Sequence, residues 1–333
     1  MDEQVVVITG ASAGVGRAIA REYGKRRAHV GLIARGIDGL NAAKREIEEL
    51  GGQALVVPLD VSDHDAVEEA AQQIEEAFGP IDVWINNAMA SVFSPITDLK
   101  PDELRRVTDV TYHGYVWGTM AALRRMRPRD RGVIVQVGSA LAYRGIPLQA
   151  AYCAAKHAVQ GFNDSLYTEL LHDGSNVRLT MVNLPAINTP QFDWVLSKLP
   201  GRAQPVPPIF QPEVAAQAIV WAADHKRREL NVGWPTTKAV VGNNLFPQAA
   251  DLYLARNGYE AQQTSEPEDP NRPHNLWQPL PGDHGAHGRF DDRAQAASLH
   301  VMLNEHRGTV LLALAALVGA SFALTATRKT KSG

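Results

Sequence analysis

Cysteine is almost absent from this chain. Cys153 is the only one in 333 residues, which excludes an internal disulfide and a cysteine-built zinc site and suits a reducing compartment. An excess of charge is missing too. The 33 Lys and Arg against 36 Asp and Glu leave a formal net charge of −3, which gives no reason to invoke nucleic acid. No secretory leader is expected, because the first apolar run, Gln4-Val-Val-Val-Ile-Thr9, begins almost at once. What the chain does have is apolar content. At 45%, it can bury a large core.

Strand and helix signals alternate through the first two-thirds, the pattern of an α/β, doubly wound parallel sheet. Expected strands are Val5–Thr9, Val30–Ala34, Ala54–Pro58, Val83–Asn86, Val133–Gly138, Val177–Leu184 and a last one near Leu230–Val232. Expected helices are Arg17–Arg26, Gly39–Leu50, Ala66–Phe78, Pro101–Met126, Ala151–His172 and Glu213–His225. One domain over residues 1–260 accounts for all of them.

Two features carry chemistry. Tyr152 and Lys156 stand one helical turn apart in Tyr-Cys-Ala-Ala-Lys, so both lie on one helix face. There an ammonium can hold a phenol below its usual pKa of about 10 and make it an acid or base near neutral pH. Ser139 closes the strand upstream, at the sheet edge where open α/β folds bind ligands. The second feature is Thr9-Gly10-Ala11-Ser12-Ala13-Gly14-Val15-Gly16, between the first strand and the first helix. Glycines there allow a tight turn and close approach to a diphosphate at the helix N-terminus. The spacing is T-G-x-x-x-G-x-G and not the commoner G-x-G-x-x-G.

Together these motifs resemble the short-chain dehydrogenase/reductase family, whose Rossmann-like domain takes roughly 250 residues. The resemblance runs in order over residues 4 to about 190. It implies that Gly10, Ser12, Ala13, Gly14, Val15 and Gly16 form the cofactor loop. Asp60-Val61 would contact the adenine, and Asn87 and Ala88 would flank the cofactor after Asn86. Pro185 and Thr189 would hold the nicotinamide carboxamide. Ser139, Tyr152 and Lys156 would be catalytic, with Tyr152 and Lys156 also touching the cofactor. The reaction implied is hydride transfer between a nicotinamide and a carbonyl/alcohol pair, and the helix bearing Tyr152 implies a homo-oligomer.

Three positions depart from or refine that pattern. Thr111 stands where the family carries an asparagine supporting a water chain to the lysine, and Met89 stands where it prefers glycine. His113 lies nearby, and a helix histidine is more often structural. Arg35 follows the second strand, where an acidic residue would select the free ribose. A guanidinium suits the 2′-phosphate instead, so NADP(H) is expected over NAD(H), with Arg17 either assisting or simply exposed.

The rest of the chain reads differently. Residues 190–212 are rich in proline and hold Phe192, Trp194, Leu196, Leu199, Ile209 and Phe210. They read either as a lid over an apolar substrate or as the packing of an irregular loop. Residues 261–306 are expected to form a proline-rich linker or extended arm, pinned by Trp277 and Leu280. Its His284 and His287 make a weak metal motif, and the solvated-loop reading is preferred. From Thr309 to Thr327 there is no charge, and Arg328, Lys329 and Lys331 follow. As a helix this spans about 28 Å, so residues 307–328 are expected to cross a membrane once, with the catalytic domain cytoplasmic. A soluble cytoplasmic protein with a dimerisation helix is the alternative. Two functions stay open: an oxidoreductase acting on an apolar, lipid-like small molecule, or a membrane-tethered NADP(H)-binding scaffold or sensor with little turnover.

Overall fold

Runs rich in β-branched and other apolar residues suit strands buried on both faces, and seven strands, most of them built on such runs, form the central sheet. In the computed structural model, which describes residues 3–306, they are β1 (Val5–Thr9), β2 (His29–Ala34), β3 (Gln53–Pro58), β4 (Val83–Asn86), β5 (Val133–Ser139), β6 (Arg178–Leu184) and β7 (Glu229–Asn231). All pair in parallel, in the order β7-β6-β5-β4-β1-β2-β3. Every strand of the sequence reading is present within one residue or so of its expected ends.

Helices cover both faces. One core joins the sheet to α1 (Gly14–Lys25) and α2 (Ile37–Glu49). The other joins it to α3 (His64–Phe78), α4 (Pro101–Thr108), α5 (Gly114–Met126) and α6 (Ala150–His172). The first face is completed by α7 (Pro212–Asp224). The helix expected over Pro101–Met126 is not uniform. A five-residue π turn, Asp109–His113, joins α4 to α5, and such turns gather at functional sites.

Two regions differ from the sequence reading. Helices α8 (Gly233–Leu245) and α9 (Pro247–Asn257) follow β7, in a stretch whose glycines, prolines and paired asparagines hid any helical period. The arm, in turn, is fastened to the domain along its length. Gln263–Pro267 pairs antiparallel with Gly201–Ala203, and Ala294–Gln295 pairs with Ile209–Phe210. Its pin is Leu276, fully buried, and not its neighbour Trp277, which is 43% exposed. Most of the apolar side chains of residues 190–212 likewise pack inward, with Phe192, Leu199 and Ile209 joining Phe93 and Phe290 in a small core. Among the described residues no helix is long and apolar enough to cross a membrane. The expected spanning segment, 307–328, lies outside them.

Candidate active site

The sheet order reverses between β1 and β4, and a cleft of about 470 Å³ opens at their carboxyl ends, where parting loops leave room for a ligand. Thr9 ties the two loops together. The Asn87 and Ala88 backbone N–H groups donate to its Oγ1 at 2.9 and 3.1 Å. Asn87 Nδ2 in turn donates to the Thr9 and Gly10 carbonyls. Gly10 adopts φ +69°, and a Cβ there would sit 2.8 Å from Ala88 Cα. At Gly16 a Cβ would lie 2.1 Å from the Gly10 carbonyl oxygen, so the loop closes only with glycine. Ser12, Ala13, Gly14 and Val15 line the cleft, and the Thr189 methyl packs over Gly14.

Arg17 neither assists at the cleft nor lies exposed. Only 1% exposed, it donates to the Ser12 and Gly39 carbonyls and pairs with Glu46 and Asp283. It knits the glycine loop to α2.

At the other end β5 delivers Ser139, and the first turns of α6 deliver Tyr152 and Lys156, all three to the cleft wall. Ser139 Oγ accepts from the Leu141 N–H at 3.1 Å. Lys156 is buried; its Nζ donates to the Val137 carbonyl at 2.7 Å and to Tyr115 Oη at 2.9 Å. Burial pulls the Lys156 ammonium down to about 7. The sequence reading had this lysine holding Tyr152 low, and the geometry differs. Burial pushes the Tyr152 phenol above its ordinary value, partly opposed by the Ser139 hydroxyl, while Nζ sits 5.7 Å from the Tyr152 ring centre. Desolvation of the phenolate wins over a lysine turned toward other partners.

Thr111 is fully buried in the π turn. Its hydroxyl donates to the Ala90 carbonyl and accepts from the Ala90 N–H, both at 2.9 Å. It anchors the loop that carries Ala88 and Met89. Cys153 is buried, and burial pushes its thiol up, as suits a packing residue. His113 pairs with Asp109 and stacks on Trp117.

The arm supplies the third wall. Arg35 donates to the backbone carbonyls of Asn275, Leu276 and Trp277. Arg106, which the sequence reading missed, donates to the Leu276 carbonyl at 3.0 Å and to Asp60. Burial would raise the Asp60 carboxyl, but Arg106 and the Ser62 donors hold it below the usual range. Burial and the facing Arg106 both lower Arg35. Further along, the Gly14 N–H donates to the Gly285 carbonyl at 3.0 Å and the Gly282 N–H to Asp38 at 2.7 Å. His287 bridges Glu213 and Asp291, and His284 packs edge-on against Trp194.

Beyond Tyr152 the cleft is mostly apolar, with Ile146, Phe192, Trp194, Val206 and Leu254 on its wall. Amide side chains interrupt it, and two of them, Gln149 and Gln262, bond to each other. Gln262 donates to the Pro147 and Gly258 carbonyls, which turns its Oε1 toward the Gln149 amide at 2.8 Å. Neither glutamine carried a sequence signal, because their partners are distant in the chain.

Residues 4–198 match the family model described as short chain dehydrogenase. The uncharacterized oxidoreductase YxnA of Bacillus subtilis is 32% identical over 274 residues, covering 81% of this chain and 76% of the relative. A fatty acyl-CoA reductase of Acinetobacter baylyi is 29% identical over 262 residues, covering 74% of this chain and 86% of the relative. A solved metagenomic short-chain oxidoreductase in complex with NADP is 30% identical, with a TM-score of 0.58 over 69% of this chain and 96% of that one. With that match over residues 4–198 and the cleft at the reversal of its parallel sheet, the chain belongs to the short-chain dehydrogenase/reductase family.

Proposed function

We propose that the protein is an NADP(H)-dependent oxidoreductase that interconverts a carbonyl and an alcohol on an apolar, lipid-like substrate. The observation that carries this is the convergence of Ser139, Tyr152 and Lys156 on the cleft that the glycine loop also lines. The cradle suits a dinucleotide: glycines at 10 and 16 let the loop close tightly, and Gly10 and Ser12 to Val15 line the cleft beside the start of α1. In this reading Ser12 to Val15 meet the diphosphate, and Asp60 and Val61 flank the adenine. Asn87 and Ala88 border the cofactor, and Pro185 and Thr189 hold the carboxamide. Arg35 takes the 2′-phosphate. Arg35 and Arg106 share the single carboxylate of Asp60, a surplus of positive charge that favours a phosphate, and the NADP complex of the metagenomic oxidoreductase supports the same choice.

The bound nicotinamide supplies or accepts the hydride. Tyr152, kept protonated by its buried surroundings, gives its proton to the carbonyl oxygen in the reductive direction. Ser139 donates a hydrogen bond to that oxygen as negative charge develops, and Lys156 holds the ribose. Thr111 serves by fixing the Ala90 loop. The apolar wall beyond Tyr152 and the kinship with a fatty acyl-CoA reductase support the substrate class. The test is NADPH consumption over a panel of medium- and long-chain aldehydes and ketones. Turnover faster with NADPH than with NADH is expected, and no turnover on any member would contradict the reading.

Association with a membrane belongs to the same proposal. Trp234 and Leu245 on α8, Phe246 at the junction, and Leu252 and Tyr253 on α9 are each more than half exposed, and exposed large apolar side chains near one another in the chain suit contact with an apolar partner. Tyr253 and Leu254 also line the cleft, so a bilayer on this face would open onto the substrate end. Full-length protein should co-sediment with phosphatidylcholine vesicles, and Phe246→Glu with Leu252→Glu should weaken that. Protein that stays wholly in the supernatant would count against it.

A further inference from the structure

We infer that Tyr115 is a positioning residue of this active site, holding the Lys156 ammonium in register with the cleft, a role the family pattern had directed to Thr111. The inference rests on the catalytic reading of Lys156 given above.

The two residues divide one task. Thr111 has a single hydroxyl, and Ala90 occupies it as both donor and acceptor. It has no hydrogen left for the lysine. One turn later α5 places Tyr115, 1% exposed, with its Oη 2.9 Å from Lys156 Nζ and its ring centre 4.4 Å from the same atom. The phenol donates to the Val137 carbonyl at 2.9 Å, and Nζ donates to that same carbonyl at 2.7 Å. Three groups therefore close a triangle: an ammonium, a phenol and a strand carbonyl. An ammonium has three N–H donors. Two are committed to Tyr115 and Val137, and the third is left for the cleft that Lys156 lines. Tyr115 fixes where that third donor points.

Tyr115 is itself held. Thr119 Oγ1 and Asn86 Nδ2 donate to its backbone carbonyl at 2.7 and 3.3 Å, and Asn86 belongs to the buried set with Trp84 and Gln136 beneath the sheet edge. The polar groups packed round Nζ are Tyr152 on its own helix, Tyr115 on α5 and the Val137 carbonyl on β5, with Ser139 two residues further along that strand. Burial is the influence that lowers the ammonium, and a phenol oxygen accepting from it works the other way. Loss of that oxygen lets the lysine fall further.

Tyr115→Phe removes one oxygen and keeps the ring, so packing and the cation–π contact survive. Lysine labelled with 13C at Cε, with its signal assigned by Lys156→Met, gives the Lys156 titration without any substrate. The expected result is a Lys156 midpoint lowered by about one unit in Tyr115→Phe. In turnover, measured with decanal and NADPH, the limb lost as pH rises through the lysine midpoint moves to lower pH. At pH 8 kcat falls about tenfold, while KM for NADPH stays within about twofold. A purely structural tyrosine would change thermal stability and leave both titrations in place, and that outcome overturns the inference. If Lys156→Met keeps full turnover, the catalytic reading itself fails. If Lys156→Met is inactive and Tyr115→Phe titrates as wild type, only the inference fails. Should Tyr115→Phe not fold, difluorotyrosine at position 115 weakens the same acceptor at unchanged shape. It must shift Lys156 in the same direction, and an unshifted lysine refutes the role.

Discussion

At the Tyr152 end of the cleft, Ser139, Tyr152, Lys156 and Tyr115 come from a strand end and two helices within residues 115–156, and Lys156 bonds directly to Tyr115. At the Arg35 end, the groups that meet the guanidinium and the glycine loop are backbone carbonyls of residues 275–285, more than two hundred positions away. The first end is made of side chains at fixed helical spacings. The second is closed by main chain, which any sequence can supply. A motif can announce the first kind of construction and is silent about the second.

Three substitutions sharpen that contrast. The largest effect is expected from Gly16→Ala, whose new methyl would overlap the Gly10 carbonyl. Cofactor affinity should fall at least about 100-fold, near 3 kcal/mol, when read by NADPH fluorescence titration. An affinity within twofold of wild type would mean that the loop can relax. Arg35→Asp comes next. It sets a carboxylate where the 2′-phosphate is expected, and should cut the NADPH-over-NADH preference in kcat/KM by about 10- to 100-fold. An unchanged ratio would leave Arg35 as no more than a clasp for the arm. The smallest kinetic effect belongs to Leu276→Ala. Emptying that buried site costs about 2–5 kcal/mol, felt first where the arm detaches. Limited proteolysis within residues 262–292 should speed up and KM for NADPH rise about tenfold, with kcat nearly unchanged. A matching fall in kcat would show that the two ends are not separable.

Much of the fold was legible because buried parallel strands have an unmistakable composition. Val5–Thr9 and Val83–Asn86 were placed to the residue. Ser139, Tyr152 and Lys156 were legible for a related reason, since a strand end and an i, i+4 pair are local geometry. The misses have physical causes. Proline and acid density in residues 262–292 reads as unpacked chain, yet arginine bonds to its backbone carbonyls and a few buried side chains, Leu276 and Phe290 among them, hold it. Pro235, Gly242 and the two asparagines at 243 and 244 masked α8. The π turn, Asp-Val-Thr-Tyr-His, holds no glycine or proline to mark it in the sequence. Tyr115 looked like any core aromatic, because nothing in a sequence shows that a phenol oxygen faces an ammonium 41 residues away. The direction of the Tyr152 shift went wrong because spacing reveals proximity to a lysine and not the depth of burial that outweighs it.

The central claim is that Tyr152 is the proton donor of an NADPH-dependent carbonyl reduction. Its most direct test compares steady-state NADPH oxidation by the wild-type chain and Tyr152→Phe on the best aldehyde or ketone of the panel, with NADPH binding measured in parallel. Turnover should fall about 10²- to 10⁴-fold while the NADPH dissociation constant stays within about twofold. A Tyr152→Phe protein that turns over as fast as wild type would contradict the account.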